Sequence, residues 1–533
     1  MLVEAITRAY KGRENKVALK IDHRQWSFKQ LYQAVCDQEQ RFIQAGLQSG
    51  DTLVAVLPNG WHSVLVLLTA AKMQLTIAPL PMSCTAQAFK TACQRISATA
   101  AVLWRPLKGE LVADGNELFY LYAYSDDESI NQAITSIAPV LLAREQINQS
   151  DLISEDAPFI LTMTSGSTGD PKPIALSQRT KYLRAWSAIN LYGVTENDTT
   201  LIATPLYHSL AQRLLLVSLL SAGTLVLLPK YTQEQWLRTI GQERVTFTIA
   251  VSSQLKPLIN TQYSKSELAN KLASLRVLVS SSALIEQSVK QQLLNVLQCE
   301  FHECYGASEV AVVTNIKFSK QSPVGSVGKP IDGVTVKVCD DTGNSVAANT
   351  VGEICVKSPL VFSGYYQLPD KTQASFKNNY FKTGDLGYFD EQGYLYFSGR
   401  KKEIIITGGI NVYPEDVEQA INGLDSVIEA AAFPMPDEQL GEIVAVAVVL
   451  TSGEAANSTA LSMALIDQLA DFQLPRQWFF VDELPKSALG KLQRYRLAEY
   501  YLTKQQDNIN QFKNSNLGDQ NNRNIVKQVS NDG

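Results

Sequence analysis

Apolar residues along the first 400 positions follow two alternating rhythms. Short, almost wholly aliphatic runs, Leu53–Leu57, Leu75–Pro79, Leu201–Ala203, Leu225–Leu228, Thr246–Val251 and Leu275–Val279, have the continuous apolar character of strands buried on both faces. Between them, Val64–Lys72, Gln233–Gln242 and Ile285–Leu297 return an apolar side chain every three or four residues, as amphipathic helices do. Strand–helix–strand repetition predicts an α/β fold class, with a large N-terminal domain of mostly parallel sheets covered by helices. Val334–Val338 and Gly352–Val356 are shorter and turn-bounded, which predicts a small β-rich subdomain across residues 325–400. The most apolar window, Leu214–Leu228, is interrupted by Ser218, Ser221 and Gly223. It is too short to span a bilayer and reads as a buried helix turning into a strand.

The rhythm changes at Gly399-Arg400-Lys401-Lys402. Beyond it, Glu403–Thr407 reads as a strand, Pro414–Ile421 as a helix opened by proline, and Val427–Phe433 and Glu442–Leu450 as strands. The boundaries expected are therefore an N-terminal domain over 1–400, a mobile α+β C-terminal lid domain over 401–503, and a polar tail over 504–533. The last 29 residues hold eight Asn and five Gln, too little apolar surface to offset chain entropy, so the tail is expected to be disordered.

Composition narrows the possibilities. A chain of 533 residues exceeds what one core supports, and 45% hydrophobic with 19% charged residues is ordinary for a globular protein. The net charge of −5, without a block of Lys and Arg, excludes a general nucleic-acid footprint. Seven scattered cysteines form no zinc-like pairs and read as reduced thiols in a cytoplasmic protein. No apolar run follows the charged N-terminus, so neither a secretory signal nor a membrane span is expected.

The most informative stretch is residues 162–174, Thr-Met-Thr-Ser-Gly-Ser-Thr-Gly-Asp-Pro-Lys-Pro-Ile. Hydroxyls around two glycines can turn backbone N–H groups toward an anion, and Lys172 adds a mobile positive charge suited to phosphate. The spacing differs from the common phosphate loop, since Asp170 and Pro171 separate Gly169 from Lys172, and a solvated turn would share this composition. Five further segments follow in order: Tyr305-Gly-Ala-Ser-Glu309; Gly352-Glu353 leading to Gly364-Tyr365; Tyr380-Phe-Lys-Thr-Gly-Asp385; Ser398-Gly-Arg-Lys-Lys402 through Gly408-Gly-Ile-Asn-Val-Tyr-Pro414; and Leu484-Pro-Lys-Ser-Ala-Leu-Gly-Lys491.

Together these motifs resemble the adenylate-forming superfamily of acyl-CoA and aryl-CoA synthetases, carrier-protein adenylation enzymes and firefly-type luciferases, over roughly residues 20–500. The resemblance implies an AMP-forming acid–thiol ligase. Such an enzyme activates a fatty or aryl carboxylic acid with ATP to an acyl-adenylate, releases pyrophosphate, and passes the acyl group to CoA or a phosphopantetheine carrier protein. It further implies that Thr164, Ser165, Gly166, Ser167, Thr168, Gly169 and Lys172 hold the outer phosphates and that Glu309 binds Mg²⁺. Tyr305 would lie against adenine and Ser308 near the α-phosphate, while Asp385 and Arg400 would contact the ribose. Lys491 would be the catalytic lysine, His208 would stand near the substrate carboxylate, Lys402 would be the hinge, and Gly408 and Gly409 would line the thiol tunnel. Departures from the family pattern are Pro173 and Ala211, where glycine is usual, and Ser308, where threonine is. Acyl selectivity would fall to Tyr207–Ser221, Ser280–Leu284 and Val310–Thr314. Arg213 reads as a helix-surface arginine, the alternative being a partner for a second carboxylate. A luciferase-like or adenylate-only enzyme, or a silent nucleotide-binding protein, are the rival readings.

Overall fold

The structure is a computed structural model and describes residues 1–104, 119–123, 135–136, 155–163, 172–259, 261–282, 284–454, 456–487 and 490–504. The chain divides into two compact units. The first comprises Met1–Thr383 with Tyr388–Tyr396, and the second Gly384–Gly387 with the chain from Phe397 onward.

Two large sheets organise the first unit. One runs in the order Gly364–Tyr365, Pro173–Ser177, Pro158–Met163, Thr76–Leu80, Thr52–Val56, Ala100–Trp104, Phe119–Ala123 and Thr135–Ser136. Its centre is parallel, Val54 lying opposite Ala78 on one side and Ala101 on the other. Every residue of Thr52–Val56 is buried, which is why its apolar pattern is continuous rather than alternating. The second sheet pairs Val17–Ile21, Thr224–Leu227, Thr199–Ile202, Phe247–Val251, Val277–Ser281 and Glu300–Ala307 in parallel. The small β-rich subdomain expected across residues 325–400 is present, Thr335–Cys339 pairing antiparallel with Gly352–Lys357, and its strands continue this same sheet, Ser326–Pro330 pairing with Ala311–Lys317 and that strand with Glu300–Ala307. Pairing between distant strands leaves no trace in local periodicity, so this continuity was not visible in the sequence.

Two helices matter for the site. Gln178–Tyr192 begins at Ser177, whose side chain accepts from the Thr180 amide, and ends at Gly193 with φ 57°. Ser209–Leu220 is apolar on nearly all sides and accordingly buried on nearly all sides, then turns into Thr224–Leu227 as the apolar window predicts. No helix among the described residues is long and apolar enough to cross a membrane.

The second unit is built on Val427–Asp437 and Gly441–Leu450, antiparallel neighbours flanked by Ile405–Thr407 and Gln477–Phe480. Helix Pro414–Asn422 covers one face through Val417 and Ile421. Glu403 was expected to open a strand. It belongs instead to a 3₁₀ turn, Lys401–Glu403, and the strand starts at Ile405. The turn leaves the Glu403 carboxylate free to meet Arg494. Residues 494–504 are helical, and the rest of the proposed tail lies outside the described residues.

Candidate active site

In the first unit, strands Pro158–Met163 and Pro173–Ser177 are antiparallel, with Met163 opposite Pro173. Residues 164–169, the expected phosphate cradle, lie outside the described residues. Lys172 stands at the return of this hairpin. Gly364–Tyr365 adds to the same edge, Tyr365 opposite Ile174, which sets the Tyr365 ring 5.4 Å from the Lys172 ammonium. The Tyr365 hydroxyl donates to Glu309 Oε1 at 3.2 Å. Burial, reinforced by the Glu309 charge, holds this phenol well above its ordinary value, so it keeps the proton it donates. The structure thus brings Lys172 and Glu309 together through a tyrosine whose role the sequence reading had left open.

Glu309 lies in the turn between Glu300–Ala307 and Ala311–Lys317, where the register slips at Tyr305/Gly306. A Cβ on Gly306 would strike the backbone of Ala311, so the bulge tolerates only glycine there. Tyr305 is partly buried at this bulge. The turn is held from beneath by Arg184, which sequence reasoning missed. Its Nη1 donates to Ser308 O at 2.9 Å, Nη2 to Glu309 O at 2.7 Å and Nε to Leu360 O at 2.8 Å. Three carbonyls on one buried guanidinium fix the backbone that carries Ser308 and Glu309. Among the described residues no group of three or more His, Cys, Asp or Glu side chains could hold a metal ion. Mg²⁺ commonly takes one carboxylate and completes its shell with phosphate oxygens and water, and the Glu309 carboxylate fits that mode.

His208 is the N-cap residue of Ser209–Leu220, and its ring lies 4.2 Å from that of Tyr207. Its Nε2 is buried without a hydrogen-bond partner among the described residues. Burial pulls the imidazole down to about 4, so at physiological pH it is a neutral hydrogen-bonding group rather than a cation. Beside Tyr207 opens a mostly apolar cavity of about 410 Å³, walled by Leu57, Pro79, Met82, Leu206 and Pro229, with Lys230 among its polar groups. Among the described residues of the segments expected to select the acid, only Tyr207 lines it.

The second unit gathers residues far apart in sequence. Arg400 Nε lies 3.2 Å from Asp385 Oδ1, the aspartate being buried and the arginine partly exposed. Lys491 is close enough to feel both: burial lowers its ammonium, Arg400 lowers it further, and Asp385 and Glu403 oppose the shift. Its loop is closed by Ser487, whose amide donates to Lys491 O at 2.7 Å and whose hydroxyl accepts from the Lys491 amide at 3.1 Å. Lys402 is exposed on the 3₁₀ turn. Gly408 and Gly409, with φ 56° and 80°, form the two-residue turn between Ile405–Thr407 and Ile410–Val412. A Cβ on Gly409 would meet nothing, so its backbone is open to a close approach.

Three carboxylates share the Arg494 guanidinium: Glu403, Glu415 at 3.0 Å and Glu418 at 2.7 Å. One cation cannot balance three anions in a buried site. Glu415 is the member that yields; its Oε2 has no hydrogen-bond partner and lies against Gly399, and burial pushes the carboxyl up to about 7. Because the folded value exceeds the ordinary 4.5, the protonated carboxyl stabilises the fold at low pH, and that contribution fades as pH rises from 4.5 to about 7. Glu415→Gln should therefore leave the melting temperature nearly unchanged near pH 5 and raise it near pH 8. Calorimetry at both values checks this, and equal shifts would contradict it.

Residues 6–366 match the family described as AMP-binding enzyme, and residues 416–491 match the AMP-binding enzyme C-terminal domain. The chain belongs to the AMP-binding enzyme family. Among its relatives, the 2-succinylbenzoate–CoA ligase of Bacillus velezensis is 30% identical over 91% of this chain and 95% of its own. The indoleacetate–CoA ligase of Aromatoleum aromaticum is 32% identical over 64% of this chain and 67% of its own. A crystal structure of ATP-bound MatB from Rhodopseudomonas palustris superposes with a TM-score of 0.84 at 26% identity, covering 94% of this chain and 99% of that one. As an AMP-binding enzyme, the protein is an AMP-forming acid–thiol ligase, the class its motifs predict.

Proposed function

We propose that this ligase uses Lys172 and the loop 164–169 for the outer phosphates of ATP, Glu309 for Mg²⁺, Asp385 and Arg400 for the ribose, and Lys491 for the reacting carboxylate. Mg²⁺ bound there would supply charge neutralisation of the phosphates. Arg184 and Tyr365 do their work beforehand, by fixing the main chain and the carboxylate of Glu309. Neutral His208 donates to a substrate oxygen and orients it. In-line attack of a weakly nucleophilic carboxylate demands positioning above all, and these groups are positioning groups. In the second half-reaction the turn Gly408–Gly409 admits the thiol arm, of either CoA or a carrier protein. Seven cysteines, all free, fit a reducing compartment such as the cytoplasm.

The observation that carries this reading is the convergence of Asp385, Arg400 and Lys491 within one unit. A lysine lowered by burial and a neighbouring arginine, yet attracted by an aspartate, is an ammonium held ready for an incoming anion. Purified protein should exchange labelled pyrophosphate into ATP when supplied with its acid, and with CoA or a carrier should yield a thioester. Silence across fatty, aryl, amino and dicarboxylic acids would refute the adenylation reading. Hydroxamate without thioester would refute only the thiol step.

A further inference from the structure

Arg213 is only partly exposed. It lies on Ser209–Leu220, a helix whose other residues from Leu210 to Leu220 are all buried, and its Nε is buried with no hydrogen-bond partner. No ion pair to Arg213 exists among the described residues. The charges around it are of its own sign: Lys181 and Arg184, both buried on Gln178–Tyr192. Burial first, then repulsion from Arg184 and Arg213, pushes the Lys181 ammonium well down, and Lys181 finds only a neutral acceptor, Gln212 Oε1 at 2.9 Å. Tyr192 and Cys304 also lie within reach of the Arg213 charge. Arg184 spends its donors on carbonyls and has Glu309 nearby, so Arg213 is the cation left without an acceptor.

Two further buried groups on the expected acid-binding segments lack partners: His208 Nε2 and Ser280 Oγ. Cys304 ties Ser280 to Arg213, since its thiol donates to Ser280 O at 3.6 Å and lies within reach of the Arg213 charge. Buried donors without acceptors, next to surplus positive charge, are costly when left unpaired and costlier against hydrocarbon. It suits a ligand that only accepts hydrogen bonds and carries negative charge.

Resting on the proposed ligase reading, we infer that the acid has a second carboxylate: one is held at His208 for adenylation, and the other pairs with Arg213. His208, the N-cap residue, and Arg213 are five residues apart, roughly 7.5 Å along the helix axis and about 140° around it, so the acid would have to reach around the end of the helix, with carboxylates separated by several carbons or an aromatic ring. The guanidinium takes a carboxylate through parallel N–H bonds, and Ser280 supplies a hydroxyl donor.

The test compares matched acids in pyrophosphate exchange: hexanoate against adipate, and benzoate against isophthalate. Wild type should favour the diacid by about 100-fold in kcat/KM, the scale of a buried charge-assisted pair. Arg213→Met should erase that preference through KM while raising activity on the monoacid, and Arg213→Lys should restore part of it. A wild-type preference for the monoacids, or a diacid preference unchanged in Arg213→Met, would overturn the inference and leave the ligase reading intact. Absence of exchange with every acid would overturn both.

Discussion

Lys491→Ala should slow acyl-adenylate formation by about 10²–10³-fold, while thioester formation from supplied acyl-AMP stays nearly unchanged. The ammonium stands beside the Asp385–Arg400 pair, where nucleotide and carboxylate charges would meet it, and burial has already removed part of its hydration. A group desolvated in the resting enzyme loses little when an anion arrives, which is why preorganised charge acts more strongly than charge in water. Its loop is closed on both sides by Ser487, so the alanine variant removes the side chain and leaves the main-chain contacts in place. The two half-reactions should therefore separate cleanly. Single-turnover pyrophosphate release measures the first, and CoA consumption from synthetic acyl-AMP the second. Equal losses in both would mean that Lys491 shapes the C-terminal unit rather than serving one step.

Much of the architecture was legible because buried strands and helices declare themselves by period. Gln233–Gln242 was read to the residue, and most runs in the two sheets fell within two residues of their strands. Motif order put forward Lys172, Glu309, Asp385, Arg400 and Lys491 as candidates, and the structure sets Lys172 and Glu309 on either side of Tyr365 and Asp385, Arg400 and Lys491 near one another. What escaped was the interior charge. Arg184, Arg213 and Arg494 look like ordinary surface arginines in a linear pattern, because periodicity sorts apolar from polar positions and says nothing about a polar position that faces inward. Arg213 did carry a signal: in Ser209–Leu220 nearly every neighbour is apolar and buried, which leaves an arginine little solvent to reach. Arg494 carried a weaker one, following Lys491 by three residues; its partners Glu403, Glu415 and Glu418 lie at least 76 residues away.

Arg494 also sets the second large effect. Arg494→Met should lower the stability of the C-terminal unit by about 3–5 kcal/mol, because removing one partner leaves buried carboxylates without their cation. Glu418 is the most exposed to this loss: Arg494 Nε and Nη2 donate to its two oxygens at 2.7 Å each, and its remaining bond comes from the Ala432 amide at 2.9 Å. The same guanidinium ties the helical residues 494–504 to the 3₁₀ turn at Glu403 and to helix Pro414–Asn422, so the elements that follow Arg400 and the one that follows Lys491 lose a common anchor. Unlike Lys491→Ala, this change should depress both half-reactions together, and limited proteolysis should cut first beyond Phe397. Adding Glu418→Gln and Glu415→Gln should recover part of the melting temperature, since the charges left unpaired are then gone. A variant that melts and resists protease like the wild type would show that the three carboxylates find water or protons without the arginine. The network would then matter for placing Lys491 and not for holding the unit together.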